Sequence, residues 1–139
     1  MSFWFGLPDN AVITKATLKI KRQGIGGTNP FNTHMGLKVD IRKPYFGAAA
    51  GLAISDFQAG ANSNAAATFS KTPAAGAWYS SVLSSTAYPC INRTGTTQFR
   101  LRFAKDDNDD MAADYLKFYS GNAPTVSYRP VLVIEYYVP

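Results

Sequence analysis

The sequence predicts an all-β fold: an antiparallel β-sandwich, jelly-roll-like, with at most one short helix. Three observations predict it. Apolar and polar residues alternate strictly over several short stretches, the two-residue period of a strand with one buried and one wet face. Clusters of Gly, Pro, Asn and Asp separate those stretches, as turns do in sandwiches. Nine Phe, eight Tyr and two Trp stand among 139 residues of which only 17% are charged. That composition suits half-buried strands rather than helices rich in Glu, Lys and Leu. A single domain over residues 1–139 accommodates the pattern.

Taken in order, Ala11 to Thr14 is a short strand candidate, and Ala16 to Lys21 follows with Leu18 and Ile20 facing inward. Leu37 to Arg42 buries Leu37, Val39 and Ile41. Gly47 to Ala59 is the one helical candidate, on its alanines and the Ala53/Ile54/Phe57 spacing, although its glycines weaken it. Thr68 to Ser70 and Trp78 to Leu83 are short strands, and Gln98 to Phe103 alternates on Phe99, Leu101 and Phe103. Asp114 to Tyr119 turns Leu116 and Phe118 inward. Val131 to Tyr137 is almost wholly apolar, the pattern of a central strand covered on both faces.

The order of these pieces resembles the DNRLRE-type domain of bacterial cell-surface and secreted proteins. The residues that carry the resemblance are Leu7-Pro8-Asp9-Asn10-Ala11-Val12-Ile13, Ala16-Thr17-Leu18-Lys19-Ile20, Phe99-Arg100-Leu101-Arg102-Phe103, Asp114-Tyr115-Leu116-Lys117-Phe118-Tyr119-Ser120 and Arg129-Pro130-Val131-Leu132-Val133-Ile134-Glu135-Tyr136. The resemblance implies a non-catalytic β-sandwich resembling carbohydrate-binding modules, some of them directed at acidic polysaccharides, and an extracellular or cell-surface location. The name-giving hexapeptide is absent, and Ser120-Gly121-Asn122 stands where the family often has Ser-Arg-Glu, so no family site is carried over. Such domains usually have a strand ahead of the Leu-Pro-Asp-Asn segment. Either that leading strand is missing, which would leave an open edge for another chain, or Phe3-Trp4-Phe5 is its remnant in a closed sheet.

Several chemistries are disfavoured. Cys90 and His34 are the only cysteine and the only histidine, so neither a disulfide nor a cysteine metal cluster can form within the chain. A Cys–His nucleophile lacks any motif. The net charge of +5 is compatible with an anionic partner, but no Lys/Arg run or recognition helix suggests nucleic acid. No signal peptide or transmembrane-length stretch is present, so no membrane insertion is expected and the export signal of a surface domain would lie outside this chain.

For a polysaccharide, the outward Lys19, Lys21, Lys38, Arg42, Arg100 and Arg102 would form a basic stripe if their strands share one sheet. Strand-exposed Lys and Arg are also routine devices against edge aggregation. Aromatic rings suited to stacking on sugars are Tyr45 and Phe46 beside Lys43 at a strand end, and Trp78-Tyr79. The last pair could equally fill the core. The candidate binding set is therefore Lys43, Tyr45, Phe46, Trp78, Tyr79, Arg100 and Arg102.

Five of the nine acids fall between Asp106 and Asp114. Asp106, Asp107, Asn108, Asp109, Asp110 and Asp114 offer the hard oxygen ligands that suit Ca²⁺. The loop lacks the EF-hand spacing, and a hydrated acidic turn with Asp capping backbone N–H groups is the alternative. These acids share one loop with no acid poised opposite, unlike the paired carboxylates of a glycosidase. Two functions are thus expected in order: binding of polysaccharide, and self-assembly of copies of the chain through sheet edges into a filament or surface layer.

Overall fold

The computed structural model describes all 139 residues as two antiparallel four-stranded sheets. The strands are β1 (Ser2–Gly6), β2 (Val12–Gly27), β3 (Leu37–Arg42), β4 (Ser63–Phe69), β5 (Trp78–Val82), β6 (Thr94–Phe103), β7 (Asp114–Phe118) and β8 (Val131–Tyr137). The first sheet runs β1-β6-β3-β4; in the second, β2 is paired by β5, β7 and β8. The all-β sandwich expected from alternation is the fold observed.

Inward residues from both sheets meet in one cluster of 16 buried side chains. Leu18 and Ile20 of β2, and Val39 and Ile41 of β3, are fully buried, and Phe99 of β6 is nearly so. Tyr79 and Phe69 are among its largest fully buried side chains, with Phe31 stacked on Tyr79 at 5.6 Å between ring centroids. Fully burying each such apolar side chain contributes about 1.5–3 kcal/mol.

Phe3-Trp4-Phe5 lies in β1 and pairs antiparallel with Thr97 to Gly95 of β6. Phe3 and Phe5 pack against the core, while Trp4 is 73% exposed. These aromatics therefore belong to the domain's own sheet.

Three elements differ from expectation. The two short stretches before residue 22 are one strand, β2, sixteen residues long; a register shift between Ile13 and Lys15 masks their continuity in the sequence. Gly47 to Ala59 is not a helix but an excursion with a single 3₁₀ turn, Ile54–Phe57. Ile54 and Phe57 are 91% and 73% exposed, so no apolar face exists to stabilise a longer helix. β8 is not central: it pairs with β2 alone, and its outward Val131 and Val133 remain exposed. The one α-helix, α1 (Pro30–Thr33), is a single turn started by the Asn29 side chain accepting from the Phe31 N–H, with proline in its first turn.

The turn from β2 into α1 depends on Gly27. Its φ is +64°, and a Cβ there would stand 1.5 Å from the Ala113 carbonyl oxygen. Gly27→Ala is expected to cost roughly 1–3 kcal/mol from left-handed strain and this contact. A urea melt reads the loss directly; an unchanged midpoint would show that the turn moves aside freely.

Candidate functional site

The seven residues expected to bind ligand do not converge. Phe46 is 2% exposed and Tyr79 1% exposed, so neither is a stacking platform: Tyr79 belongs to the core between the sheets, and Phe46 is covered outside it. Phe46 lies under the Arg100 guanidinium at 4.5 Å. Tyr45 is half-buried and Lys43 exposed. Lys43 Nζ donates to the Pro89 carbonyl at 2.7 Å, at the lip of a polar cleft of about 330 Å³ that also holds Asp9, Tyr88, Asn92 and Arg93.

Arg100 and Arg102 point away from the core, as their alternation requires, but they are committed to Asp40. This carboxylate is fully buried and accepts five hydrogen bonds: from the Ala65 N–H, two from Arg100 and two from Arg102, at 2.8–3.2 Å. Arg100 also donates to the carbonyls of Asp56, Phe57 and Ala59. It thereby pins the 3₁₀ excursion over the outer face of the first sheet. Burial alone would raise the Asp40 pKa; hydrogen bonds from Arg102, the Ala65 N–H and Arg100, together with the Arg102 charge, outweigh it and hold the carboxyl below its ordinary value. This side of the sandwich carries Lys38, Arg42, Arg100 and Arg102 across β3 and β6, but its centre is neutralised and covered.

The other two cations of the anticipated stripe lie on the second sheet. Leu18 and Ile20 are fully buried, so Thr17, Lys19 and Lys21 project from the opposite face of β2. Cross-strand register places Trp78 of β5 beside Lys21, and Ser80 and Val131 on either side of Lys19. Lys19, Ala74, Trp78, Ser80 and Val131 line a shallow depression of about 400 Å³. Lys21 Nζ lies 3.9 Å from the Tyr128 ring centroid and 5.8 Å from that of Trp78. Neither Lys19 nor Lys21 enters an ion pair. Along β2, β5 and β8 the only acid is Glu135, opposite Lys15. The face is therefore positive, partly apolar and open.

Farther along β2, Tyr115 of β7 lies over Gly26, where any Cβ would collide with its ring, and Lys117 Nζ stands 5.4 Å from the same ring. Of the expected binding residues only Trp78 belongs to this face. Its neighbours Lys19 and Lys21 were readable as outward cations; the register that sets them beside Trp78 was not.

In the acidic loop, the Asp107 carboxylate accepts from the Asp109 N–H and that of Asp110 from the Ala112 N–H. The backbone N–H groups of Asp109 and Asn108 lower the Asp107 pKa. No three carboxylate, thiol or imidazole groups converge on one point. No helix is long and apolar enough to cross a membrane.

By fold the chain is an all-β sandwich with a basic, aromatic-bearing outer face. Comparison with known protein families, curated proteins and solved structures finds no match for it.

Proposed function

We propose that this domain is a non-catalytic, extracellular surface module that holds an acidic polysaccharide on the outer face of the second sheet. One observation carries the reading: Lys19 and the half-buried Trp78 line an open depression, Lys21 lies beside Trp78, neither lysine enters an ion pair, and the face has a single acid. Lysines supply charge attraction to carboxylate or sulfate groups, and the indole and Val131 supply apolar surface for the sugar ring. An open, shallow face suits a polymer running across it better than a small molecule, which favours enclosed pockets. The resemblance to DNRLRE-type domains points the same way, and no family match adds to it.

The test is affinity electrophoresis through gels containing acidic or neutral polysaccharides. Retardation is expected with the acidic polymers and should fade as salt rises, because exposed charges are screened. Exposed ion pairs contribute up to about 1 kcal/mol each, so Lys19→Ala with Lys21→Ala should bind roughly tenfold more weakly. Trp78→Ala should weaken binding as well. Absence of retardation across a broad acidic panel would end this reading. Arg100 and Arg102 make poor probes, because their loss disturbs the Asp40 network.

A second reading, self-assembly into a filament or surface layer, rests on the edges. On one side of the sandwich β4 and β5 are stitched together by Ser81 Oγ donating to the Thr68 carbonyl and the Ser84 N–H donating to that of Ala66. β1 and β8 each pair with one strand only, leaving edges to which another strand can add. Sedimentation of a monodisperse monomer at high concentration would remove this reading.

A further inference from the structure

β1 is an edge strand that pairs with β6 and with nothing else. Its hydrogen-bond phase is fixed at both ends. Met1 and Phe99 exchange both backbone bonds, and the Leu7 N–H donates to the Arg93 carbonyl. Hydrogen-bonded and non-hydrogen-bonded pairs alternate along an antiparallel ladder, so Met1, Phe3, Phe5 and Leu7 turn their backbone groups to β6. The N–H and C=O groups of Ser2, Trp4 and Gly6 point the other way, along the free edge. No turn or loop of the chain supplies them with a backbone partner.

An exposed edge is commonly guarded by a charge, a proline or a bulge. β1, Ser-Phe-Trp-Phe-Gly, has neither charge nor proline, and its register with β6 runs without a shift. The strand also reads nearly alike in both directions. Trp4 is its middle, a Phe flanks it on each side, and a small residue closes each end. Trp4 is 73% exposed, while Phe3 and Phe5 pack against the core yet remain only half-buried. A two-fold contact between identical chains requires a surface that complements itself, and a strand of this symmetry does so in one register.

We propose that β1 binds the β1 of a second copy of this chain, antiparallel, about a two-fold axis at Trp4. In that register Trp4 meets Trp4 of the second copy and exchanges both backbone bonds with it, and Ser2 meets Gly6. On the inner side Phe3 meets Phe5 of the second copy, where non-hydrogen-bonded neighbours stand closest. Both contacts are stabilising aromatic cross-strand pairs, and the two first sheets join into one continuous sheet. The inference rests on the edge-assembly reading and sharpens it to one edge, one partner and a closed dimer. A contact between two five-residue strands falls below the usual interface size, so the dimer is weak and reversible. No charge lies in the contact and each copy carries a net charge of +5. Salt should therefore tighten the dimer by screening repulsion, the opposite of its effect on polysaccharide binding.

Sedimentation of the whole chain from micromolar to millimolar concentration is expected to show a monomer–dimer equilibrium that tightens with salt. Trp4→Lys alters an exposed side chain and sets like charges opposite each other; it should weaken the dimer roughly tenfold or more. In a Cys90→Ser background, Trp4→Cys should form a disulfide between copies, because the axis brings the two positions within disulfide reach. Ser2→Cys alone should not, since it faces Gly6 of the second copy. A monomer at every concentration overturns the proposal, and so does equal cross-linking at the two positions. Association that Trp4→Lys leaves intact overturns it as well, while leaving edge assembly to β8. A Trp4-dependent dimer that grows no larger supports the β1 contact and ends the filament.

Discussion

Asp40→Ala is expected to cost about 3 kcal/mol of folding free energy. Removing one member of a buried charge cluster leaves the others uncompensated, typically at about 3–5 kcal/mol. The lower end applies because Arg102 is 41% exposed at its side chain and can turn to water, whereas Arg100 is only 17% exposed. Arg100 would retain the carbonyls of Asp56, Phe57 and Ala59 but lose the carboxylate that aims it at them. Asp40→Asn keeps the shape and loses the charge, so it should fall between the wild type and Asp40→Ala. Urea denaturation of the three proteins orders them; equal midpoints would show that the cluster contributes nothing net.

The same cluster sets a pH dependence. The folded-state pKa of Asp40 is lowered, so its contribution to stability is fully present above the unfolded value of about 3.9. That contribution is lost as pH falls through the folded value. Wild-type stability should therefore drop in acid below about pH 4, and the part due to Asp40 should be absent from Asp40→Asn. A wild-type and an Asn variant with identical acid limbs would show that the carboxylate is not stabilised by folding.

The second large effect is at Tyr79. Its ring is 1% exposed and meets Phe31, Phe69 and Phe118. Truncation to Ala is expected to cost about 3–5 kcal/mol, as for other large aromatic core residues. Tyr79→Phe should do the reverse. The Tyr79 hydroxyl is buried without a hydrogen-bond partner, and removing such a group should raise stability by about 1 kcal/mol. Both changes are read as shifts in the denaturation midpoint at constant slope. A loss of stability in Tyr79→Phe would mean that the hydroxyl has a partner after all. Binding to acidic polymer should be the same in Tyr79→Phe as in the wild type, because the ring faces the core while its neighbour Trp78 faces outward.

Trp78 and Tyr79 show what strand periodicity can settle. Adjacent residues in a strand must face opposite ways, so one of this pair had to be core. Which one depends on the register with β2, where Tyr79 meets the fully buried Ile20 and Trp78 meets Lys21. The chemistry of the pair carries no sign of that choice, since both rings suit either side.

The inward residues of β2, β3 and β6 were legible for the same local reason: alternation is set by the pleat and needs no knowledge of the partner strand. So were the outward directions of Arg100 and Arg102. Pairing of Asp40 with a nearby cation was legible as well; the segment that covers the cluster was not, because it arrives from residues 53–60, some forty positions away in the chain. The apolar run of β8 is ambiguous too. Its outward valines fit a covered strand or an open face equally, and only pairing with β2 alone decides for the open face. The alanines between Gly47 and Ala59 favour a helix locally, but the Asp40–Arg100 cluster and the lack of a buried stripe leave one 3₁₀ turn.

By itself, then, the sequence determined the fold class, the facing of most strands and the composition of the acidic loop, because each is written in neighbouring residues. The tertiary structure alone decided which cations are free and which are neutralised, where Trp78 lies relative to Lys19 and Lys21, and which backbone groups of β1 stand at an open edge. Each of those depends on cross-strand register or on the packing of a distant loop, and the pleat of a single strand carries no record of either.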